Sequence, residues 1–325
     1  MKVVVTGGCG FLGQQLARLL LRRGSLTGPA GGQEDIDSLV LFDAAAPTAT
    51  DLDDNRVEVV LGDITDRGTI FSLCDRDDLS VFHMASVMSG GGEQNFDRAL
   101  GVNLDGSRNV LEALRARAGA PRLVFTSSVA VFGGEFVKGT VGDSTKQAPQ
   151  TTYGSTKAMV ELLVNDYTRK GFVDGRVARL PTVIVRPGSP NAAASSFISS
   201  VVREPLHGVD VTVPVPLSTP MAVIGYRTVV ECLVALHEVD GSRLGPDRAV
   251  ELPSLPVTAE QLVSSLRQLV PDRRLGQVAV EVDPAVAQIV ETWAADTEAS
   301  KASALGLPQD SDAGSIVRAF VEDFG

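Results

Sequence analysis

The stretch Thr6-Gly7-Gly8-Cys9-Gly10-Phe11-Leu12-Gly13 indicates the fold, because it follows a short apolar run and opens a helical pattern. Its glycines at 7, 10 and 13 are spaced by threes. In a strand-to-helix turn that binds a dinucleotide, the first glycine permits the tight turn, the second lets backbone approach the pyrophosphate, and the third lets the helix pack on the strand. The first N–H groups of the helix, at Phe11, Leu12 and Gly13, then face the phosphates. A tight turn without a ligand is the alternative, since the spacing differs from Gly-x-Gly-x-x-Gly.

An acidic residue at the end of the second strand of such a fold accepts hydrogen bonds from the adenosine ribose. Asp43 ends the apolar run 39–42, later than usual because a polar, glycine-rich insertion at residues 25–37 precedes it. A carboxylate there repels a 2′-phosphate, so the pattern favours NAD over NADP; a solvated turn aspartate is the alternative. Asp63 and the following Ile64 are expected beside the adenine. A turn or helix-capping role for Asp63 is the competing interpretation.

Short apolar runs alternate with helical patterns over the first 186 residues. The predicted strands are 2–5, 39–42, 57–61, 81–84, 123–126 and 176–180, and the predicted helices are 11–23, 68–74, 96–117 and 153–170. Apolar strands separated by helices indicate a parallel sheet covered on both faces, so the predicted fold class is α/β, a doubly wound parallel sheet. We expect residues 1–186 to form a Rossmann-like NAD-binding domain, with part of 209–240 returning to it. Residues 187–325 are expected to form a smaller mixed α/β lobe that binds substrate.

Composition argues against several kinds of partner. A net charge of −11 over 325 residues leaves no basic face for nucleic acid or an anionic membrane, and no apolar run is long enough to span a bilayer. The three cysteines and three histidines are scattered, so no metal site is expected. The opening Met1-Lys2-Val3-Val4-Val5 predicts a first strand rather than a signal peptide. We therefore expect a cytoplasmic protein that acts on a small molecule.

Tyr153 and Lys157 are four residues apart and so share one face of a predicted helix. A free tyrosine has a pKa of about 10 and is a poor base at neutral pH, but a neighbouring ammonium group favours the phenolate. The pair is then a general acid/base. Such a pair is common by chance, but this one follows Phe125-Thr126-Ser127-Ser128, a strand whose hydroxyl residues end at the edge of the sheet where ligands bind.

Together these motifs resemble the extended short-chain dehydrogenases, the NAD-dependent epimerase/dehydratase family, over about residues 1–240. The steps Gly62-Asp63 and Asn103-Leu104-Asp105-Gly106 also stand in the family's order. The resemblance implies that Ser128 is the catalytic hydroxyl, Tyr153 the acid/base and Lys157 the ligand of the nicotinamide ribose. It further implies roles in cofactor binding or active-site geometry for Ala85, Ser86, Asn103, Pro181, Thr182 and Val183. Phe132 stands where many members carry tyrosine, which argues against the nucleotide-sugar branch.

Two segments, 83–93 and 185–196, resemble sugar-acid dehydrogenases of this family. That resemblance implies oxidation of a four-carbon sugar acid at its C2 hydroxyl, giving a 2-oxo acid and NADH. Arg186 offers a planar fork suited to a carboxylate, and Ser86 and Ser89 offer hydroxyl donors on a glycine-rich loop. A structural ion pair is the alternative for Arg186, and a plain turn is the alternative for the loop.

Two other functions stay open. A nucleotide-sugar epimerase or dehydratase would use the same tyrosine but return the hydride, and it often carries an Arg-Asp-aromatic run near residue 228; here only Arg227 offers a displaced substitute. A catalytically silent NAD-binding regulator is less favoured, because Ser128, Tyr153 and Lys157 are intact.

The family resemblance also implies a homodimer through a four-helix interface built from the helices that contain Asn103 and Lys157. The apolar positions expected there are Leu104, Val110, Leu111, Leu114, Met159, Val160 and Leu163.

Overall fold

The computed structural model describes residues 1–47, 52–137, 139–187 and 195–325. The chain divides into two compact units. The first comprises Met1–Val131, Pro149–Arg179 and Val230–Val250, and the second comprises Phe132–Ala148, Leu180–Val229 and Glu251–Gly325. Each unit has its own core of buried apolar side chains.

The secondary structure alternates strands and helices along most of the chain. The strands are β1 (Lys2–Thr6), β2 (Ser25–Thr27), β3 (Gln33–Asp35), β4 (Ser38–Asp43), β5 (Val57–Leu61), β6 (Leu79–His83), β7 (Arg122–Ser128), β8 (Thr140–Gly142), β9 (Asp174–Leu180), β10 (Thr182–Ile184), β11 (Val211–Val213), β12 (Pro220–Gly225), β13 (Ala249–Glu251), β14 (Leu255–Thr258), β15 (Val278–Val280) and β16 (Asp296–Glu298). The α-helices are α1 (Phe11–Arg23), α2 (Arg67–Leu73), α3 (Ser89–Gln94), α4 (Phe96–Leu100), α5 (Gly106–Arg115), α6 (Thr152–Arg169), α7 (Ser196–Leu206), α8 (Tyr226–Glu238), α9 (Ala259–Leu269), α10 (Pro284–Val290), α11 (Ser300–Leu305) and α12 (Ala313–Phe324).

The first unit is organised around a large sheet. Within the described residues it has seven strands in the order β13-β9-β7-β6-β1-β4-β5. β1 pairs in parallel with both β4 and β6, and the sheet continues in parallel to β5 on one side and to β7 on the other. β1, β4 and β6 are almost wholly buried, as expected for parallel strands covered on both faces. The predicted doubly wound α/β class is confirmed. Since the winding reverses beside β1, the ligand crevice is expected at the carboxyl end of that strand.

The insertion at residues 25–37 carries structure that its polar composition did not predict. β2 and β3 pair antiparallel as a small hairpin. Thr27 donates its backbone N–H and its hydroxyl to the Glu238 carboxylate, and the Gln33 amide donates to the same group. The hairpin is therefore tied to the end of α8, and it lies within the first unit.

The predicted helix 96–117 is broken into two α-helices. A π-helical segment, Gly101–Asp105, joins α4 to α5. Such a segment accommodates one extra residue per turn and is frequent at functional sites. Here it holds Asn103, which is 3% exposed. The periodicity of the sequence does not reveal this, because both flanking segments keep helical spacing.

The second unit contains a mixed sheet in which β12 pairs in parallel with β10 and antiparallel with β14. α9 contacts both α7 and α12, and the three helices contribute most of the buried core of this unit. The parallel pairs β11 with β15 and β8 with β16 complete its sheet structure. Among the residues described, no helix is long and apolar enough to cross a bilayer.

Candidate active site

The glycine loop after β1 closes tightly against neighbouring backbone. Gly7 has φ of 72°, in the left-handed region that favours glycine, and a Cβ there would lie 2.9 Å from the Ala85 nitrogen. A Cβ on Gly13 would lie 2.4 Å from the Gly7 carbonyl oxygen. In the described part of the chain no side chain caps the start of α1, which begins after Gly10. The loop therefore fits a pyrophosphate, which needs close backbone approach and open helix N–H groups.

Asp43 is held beside this loop at the end of β4. Its Oδ2 accepts from the Cys9 backbone N–H at 3.2 Å, and its Oδ1 accepts from that of Ala45 at 3.4 Å. The carboxylate is thereby oriented at the loop, where the ribose of a dinucleotide would lie next to the pyrophosphate. Both contacts come from main-chain N–H groups.

Asp63 and Ile64 follow β5. Asp63 accepts from the Thr65 N–H at 2.8 Å, which is the turn contact of the competing interpretation, and its side chain is exposed. The Ile64 side chain is 5% exposed and packs in the core against Gly106. Any contact of Ile64 with an adenine would therefore come from its main chain, and both residues' roles stay predictions.

Asn103 connects the loop after β6 to the helix of the predicted catalytic pair. Its Oδ1 accepts from the Val87 N–H at 2.7 Å and from the Ser86 hydroxyl at 3.1 Å. Its Nδ2 donates to the Val87 carbonyl and to the Thr156 hydroxyl, each at 3.1 Å. A satisfied, buried amide of this kind fixes the loop and α6 relative to each other. This amide therefore links the predicted residue Ser86 to α6, the helix that carries Tyr153 and Lys157.

The glycine-rich loop forms the short helix α3, which begins at Ser89. Glu93, near its end, accepts from the Thr152 N–H at 2.8 Å, at the start of α6. A carboxylate is favourable at a helix N-terminus because it meets the partial positive charge of the open N–H groups. The sequence analysis missed Glu93, and no spacing signal links it to residue 152, 59 positions later in the chain.

Tyr153 and Lys157 lie on the buried face of α6. The Lys157 Nζ donates to the Thr126 carbonyl at 2.7 Å and lies 5.5 Å from the centre of the Tyr153 ring. Ser128 forms a side-chain hydrogen bond with Tyr153. Gly154 permits this packing, because a Cβ there would lie 2.0 Å from the Ala130 carbonyl oxygen. The structure therefore places the predicted hydroxyl, phenol and ammonium groups side by side.

Burial sets the protonation of this pair. It raises the pKa of Tyr153 to about 12, although the hydrogen bond from Ser128 opposes the rise. It lowers the pKa of Lys157 to about 7, although the Glu161 carboxylate opposes the fall. Near neutral pH the protonation of Lys157 is thus sensitive to the charges around it.

Glu161 is a buried acid next to this pair that the sequence analysis did not single out. It lies four residues beyond Lys157 on the same face of α6 and is 2% exposed. Its carboxylate accepts from Arg179 Nη2 at 2.7 Å and from the Ser127 hydroxyl. The signal that could have found it is the spacing 153, 157, 161, which extends the Tyr-Lys stripe by one turn.

Arg186 lies in the second unit, two residues after β10. Its guanidinium is half-buried, and burial together with the charge of Arg203 lowers its pKa. Among the described residues no acidic side chain pairs with it, so the ion pair required by the structural alternative is not found there. The preceding Val185 has φ of 54°, which is strained for a β-branched residue. Strained backbone of this kind clusters at ligand sites.

The remaining predicted residues of the second unit have plainer surroundings. Pro181 is buried, and Thr182 and Val183 are half-buried on β10, beside β12. Arg203 donates to the Arg186 carbonyl at 3.0 Å and pairs with Glu204 at 2.7 Å. Of the segment 185–196, residues 188–194 lie outside the described residues.

Arg227 is engaged within its own unit. It pairs with Glu322 at 2.7 Å and with Asp323, both on α12. The neighbouring Tyr226 hydroxyl also donates to Asp323. A guanidinium held by two carboxylates is poorly suited to receive a diphosphate, so the suggested substitute for the nucleotide-sugar clamp is not supported.

The apolar residues expected at a dimer interface divide into two groups. Val110, Leu111, Leu114 and Val160 are buried in the core of the first unit, so the expectation that these four lie at an interface is wrong. Leu104 and Leu163 are half-buried. Met159 is 37% exposed, and Leu162 and Phe96, which were not predicted, are 64% and 58% exposed.

Over the described residues no group of histidine, cysteine and acidic side chains is arranged to hold a metal ion.

Comparison with known proteins gives consistent matches over the whole chain. Residues 3–242 match the NAD dependent epimerase/dehydratase family. The chain is 48% identical to D-erythronate dehydrogenase of Cupriavidus necator over 325 residues, covering 100% of this chain and 99% of that protein. It is 39% identical to D-erythronate dehydrogenase of Haemophilus influenzae over 322 residues, covering 99% of each. A solved structure of a nucleoside-diphosphate-sugar epimerase from Agrobacterium tumefaciens is 33% identical, with a TM-score of 0.91, covering 100% of this chain and 94% of that one.

Proposed function

Because the chain belongs to the NAD dependent epimerase/dehydratase family, we propose that it oxidises a sugar acid, D-erythronate or a close four-carbon relative, at the C2 hydroxyl. Its cofactor is NAD. The product is a 2-oxo acid, and NADH leaves with it. The glycine loop and Asp43 hold the cofactor, and the main chain of Ala85 and the residues Pro181, Thr182 and Val183 are assigned to its nicotinamide end.

Tyr153 is the proton acceptor in this reaction, and Ser128 and Lys157 assist it. NAD, when bound, would supply the acceptor for the hydride that leaves the substrate carbon. Tyr153, as the phenolate, takes the hydroxyl proton, while Ser128 holds the same oxygen in place by a hydrogen bond. Lys157 stabilises the phenolate with its charge and is also assigned to the nicotinamide ribose. Because burial alone opposes ionisation of Tyr153, the Lys157 ammonium is needed for turnover near neutral pH.

The electrostatic setting of Arg186 is the observation that supports a carboxylate substrate. A half-buried guanidinium with a like-charged neighbour and no acidic partner among the described residues is electrostatically suited to an anion. Its planar fork matches a carboxylate with two parallel hydrogen bonds. Ser86 and Ser89 are assigned to the substrate hydroxyls, and the Ser86 hydroxyl already donates to Asn103.

The competing function is a nucleotide-sugar epimerase, the activity named for the similar protein from Agrobacterium tumefaciens. Two observations favour the sugar acid. The two relatives of higher identity are named D-erythronate dehydrogenase, and Arg227 is held by Glu322 and Asp323.

The two functions differ in whether NADH accumulates. Absorbance of NADH is measured with tetronates, pentonates, hydroxy amino acids and nucleotide sugars in turn. Net NADH with a tetronate supports the dehydrogenase. Turnover of a nucleotide sugar without net NADH refutes it.

We also propose a cytoplasmic homodimer that associates through α4 and α6. Phe96, Met159 and Leu162 leave apolar surface exposed on these two helices, which contact each other in the first unit. Burying them against a second copy would remove this surface from water.

A further inference from the structure

Three consecutive residues at the end of β7 each hold one residue of the buried stripe on α6. The Thr126 carbonyl accepts from Lys157, the Ser127 hydroxyl donates to Glu161, and the Ser128 hydroxyl bonds to Tyr153. The stripe is spaced at four and eight residues from Tyr153, so one helix face meets one strand end. Glu161 is the member of this array that has no part in the reaction proposed above.

The Glu161 carboxylate is held in place by Arg179 as well as by Ser127. Arg179 on β9 donates to both of its oxygens, through Nε at 3.1 Å to each and through Nη2 at 2.7 Å. Arg179 is 4% exposed and Glu161 is 2% exposed. A two-pronged contact of this kind sets the position of a carboxylate as well as its charge.

Among the described residues, Glu161 is the acidic group that acts on the Lys157 charge. On its own helix, the Tyr153 ring centre lies 5.5 Å from Lys157 Nζ, and the Glu161 carboxylate, one turn further on, acts on Lys157 electrostatically. β7 offers the Thr126 carbonyl and the Phe125 ring, whose centre is 4.7 Å from Nζ. β6 offers His83, which is fully buried between the Thr6 and Ser107 hydroxyls and whose pKa is lowered to about 3 by burial. A neutral His83 adds no charge at working pH.

We propose that Glu161, clamped by Arg179, is a positioning residue that keeps Lys157 protonated while Lys157 acts on Tyr153. The inference rests on the proposed function, because it needs Tyr153 and Lys157 to be the catalytic pair. Removing the carboxylate makes the Lys157 ammonium harder to maintain in its buried site. The Tyr153 phenolate then loses its stabilising charge, so a higher pH is needed to form it. Activity should therefore move to the alkaline side.

The test removes both charges of the pair, because a single substitution would leave a buried charge without its counter-ion and destabilise the fold. Glu161→Met/Arg179→Met and Glu161→Gln/Arg179→Gln provide an apolar and a polar replacement. For either folded variant we expect the pH midpoint of kcat to rise by about one unit or more, and kcat at pH 7 to fall about tenfold, since each pKa unit is a factor of ten. The KM for NAD should stay near the wild-type value.

The control is Asp174→Asn/Arg176→Met, which removes the ion pair between the half-buried Asp174 and the buried Arg176 at the other end of β9. Arg122 and Arg248 lose the same carboxylate partner, so this variant perturbs buried charge on the strand at least as much as the pair variants do. It should lower stability and leave the pH midpoint unchanged. Glu161→Asp keeps the charge and should keep the midpoint near wild type. A folded pair variant whose midpoint matches this control overturns the inference, as does a Glu161→Asp midpoint displaced as far as that of the pair variants.

Failure of the inference and failure of the proposed function are separable. If Tyr153→Phe abolishes turnover while the pair variants keep the wild-type pH profile, only the role of Glu161 is refuted. If Tyr153→Phe retains activity, the catalytic assignment itself is refuted.

Discussion

Arg186→Met is the most direct perturbation of the proposed substrate site. Methionine keeps an unbranched apolar stem and removes the charge and the fork. Losing one partner of a desolvated charge pair costs about 2–5 kcal/mol. Since Arg186 is only half-buried, we expect the lower part of that range, about 2–3 kcal/mol, which corresponds to a loss of about 30- to 150-fold in kcat/KM at 1.4 kcal/mol per tenfold. Most of the loss should be a rise in KM for the sugar acid.

The structure also predicts what this substitution leaves intact. Arg186 is repelled by Arg203 and has no acidic partner among the described residues, so its removal should not lower the Tm. Arg186→Lys should recover only part of kcat/KM, because it restores the charge without the fork. The assay is initial-rate NADH formation against sugar-acid concentration, with thermal unfolding measured in parallel.

Arg227→Met is the matched control for this experiment. It removes the ion pairs to Glu322 and Asp323 in the same unit and should lower the Tm without changing the KM for the sugar acid. Unchanged sugar-acid kinetics in Arg186→Met would refute the reasoning, as would unfolding of that variant with no effect on substrate affinity. The carboxylate would then have to be bound elsewhere, with the Ser86–Ser89 loop as the next candidate.

Three further predictions follow from the first unit. Tyr153→Phe should lower kcat by about 100- to 10,000-fold with little change in NAD affinity, because only the proton acceptor is lost; more than a tenth of the wild-type rate would remove Tyr153 from its role. Asp43→Ala should weaken NAD binding and reduce the preference for NAD over NADP, since an acceptor and a repulsive charge both disappear; an unchanged ratio of the two affinities would place the discrimination elsewhere. Leu162→Glu should shift a dimer towards monomer in light scattering at micromolar protein, whereas an exposed-site control, Val280→Glu in the second unit, should not. A wild-type chain that is already monomeric would contradict the dimer.

The order of strands and helices and the nucleotide loop were predictable because their signals are local. An apolar run, a glycine triplet and a following helical pattern specify β1, the loop and α1 within about twenty residues, and the boundaries of α1 agree with the prediction. Likewise, the spacing of Tyr153 and Lys157 places them on one helix face without knowledge of the rest of the fold. Parallel strand order then follows from the alternation of elements.

Contacts between distant segments were not predictable in this way. The π-helical segment around Asn103, the hairpin in the insertion and the contact of Glu93 with Thr152 each depend on packing partners far along the chain. The exposure of apolar residues was misjudged for the same reason. Val110 and Leu111 are apolar residues that would suit either the core or a subunit interface. Only the packing of α5 shows that they lie in the core.

The sequence by itself determined the fold class and predicted the glycine loop and the Tyr153–Lys157 pair, because each depends on residue types at short, regular spacing. Only the tertiary structure decided the electrostatic setting of that pair. Glu161 and Arg179 are 18 residues apart and sit on a helix and a strand that meet only in the folded chain. Burial there lowers the pKa of Lys157 and raises that of Tyr153, and the balance depends on which charges the fold brings within a few ångströms.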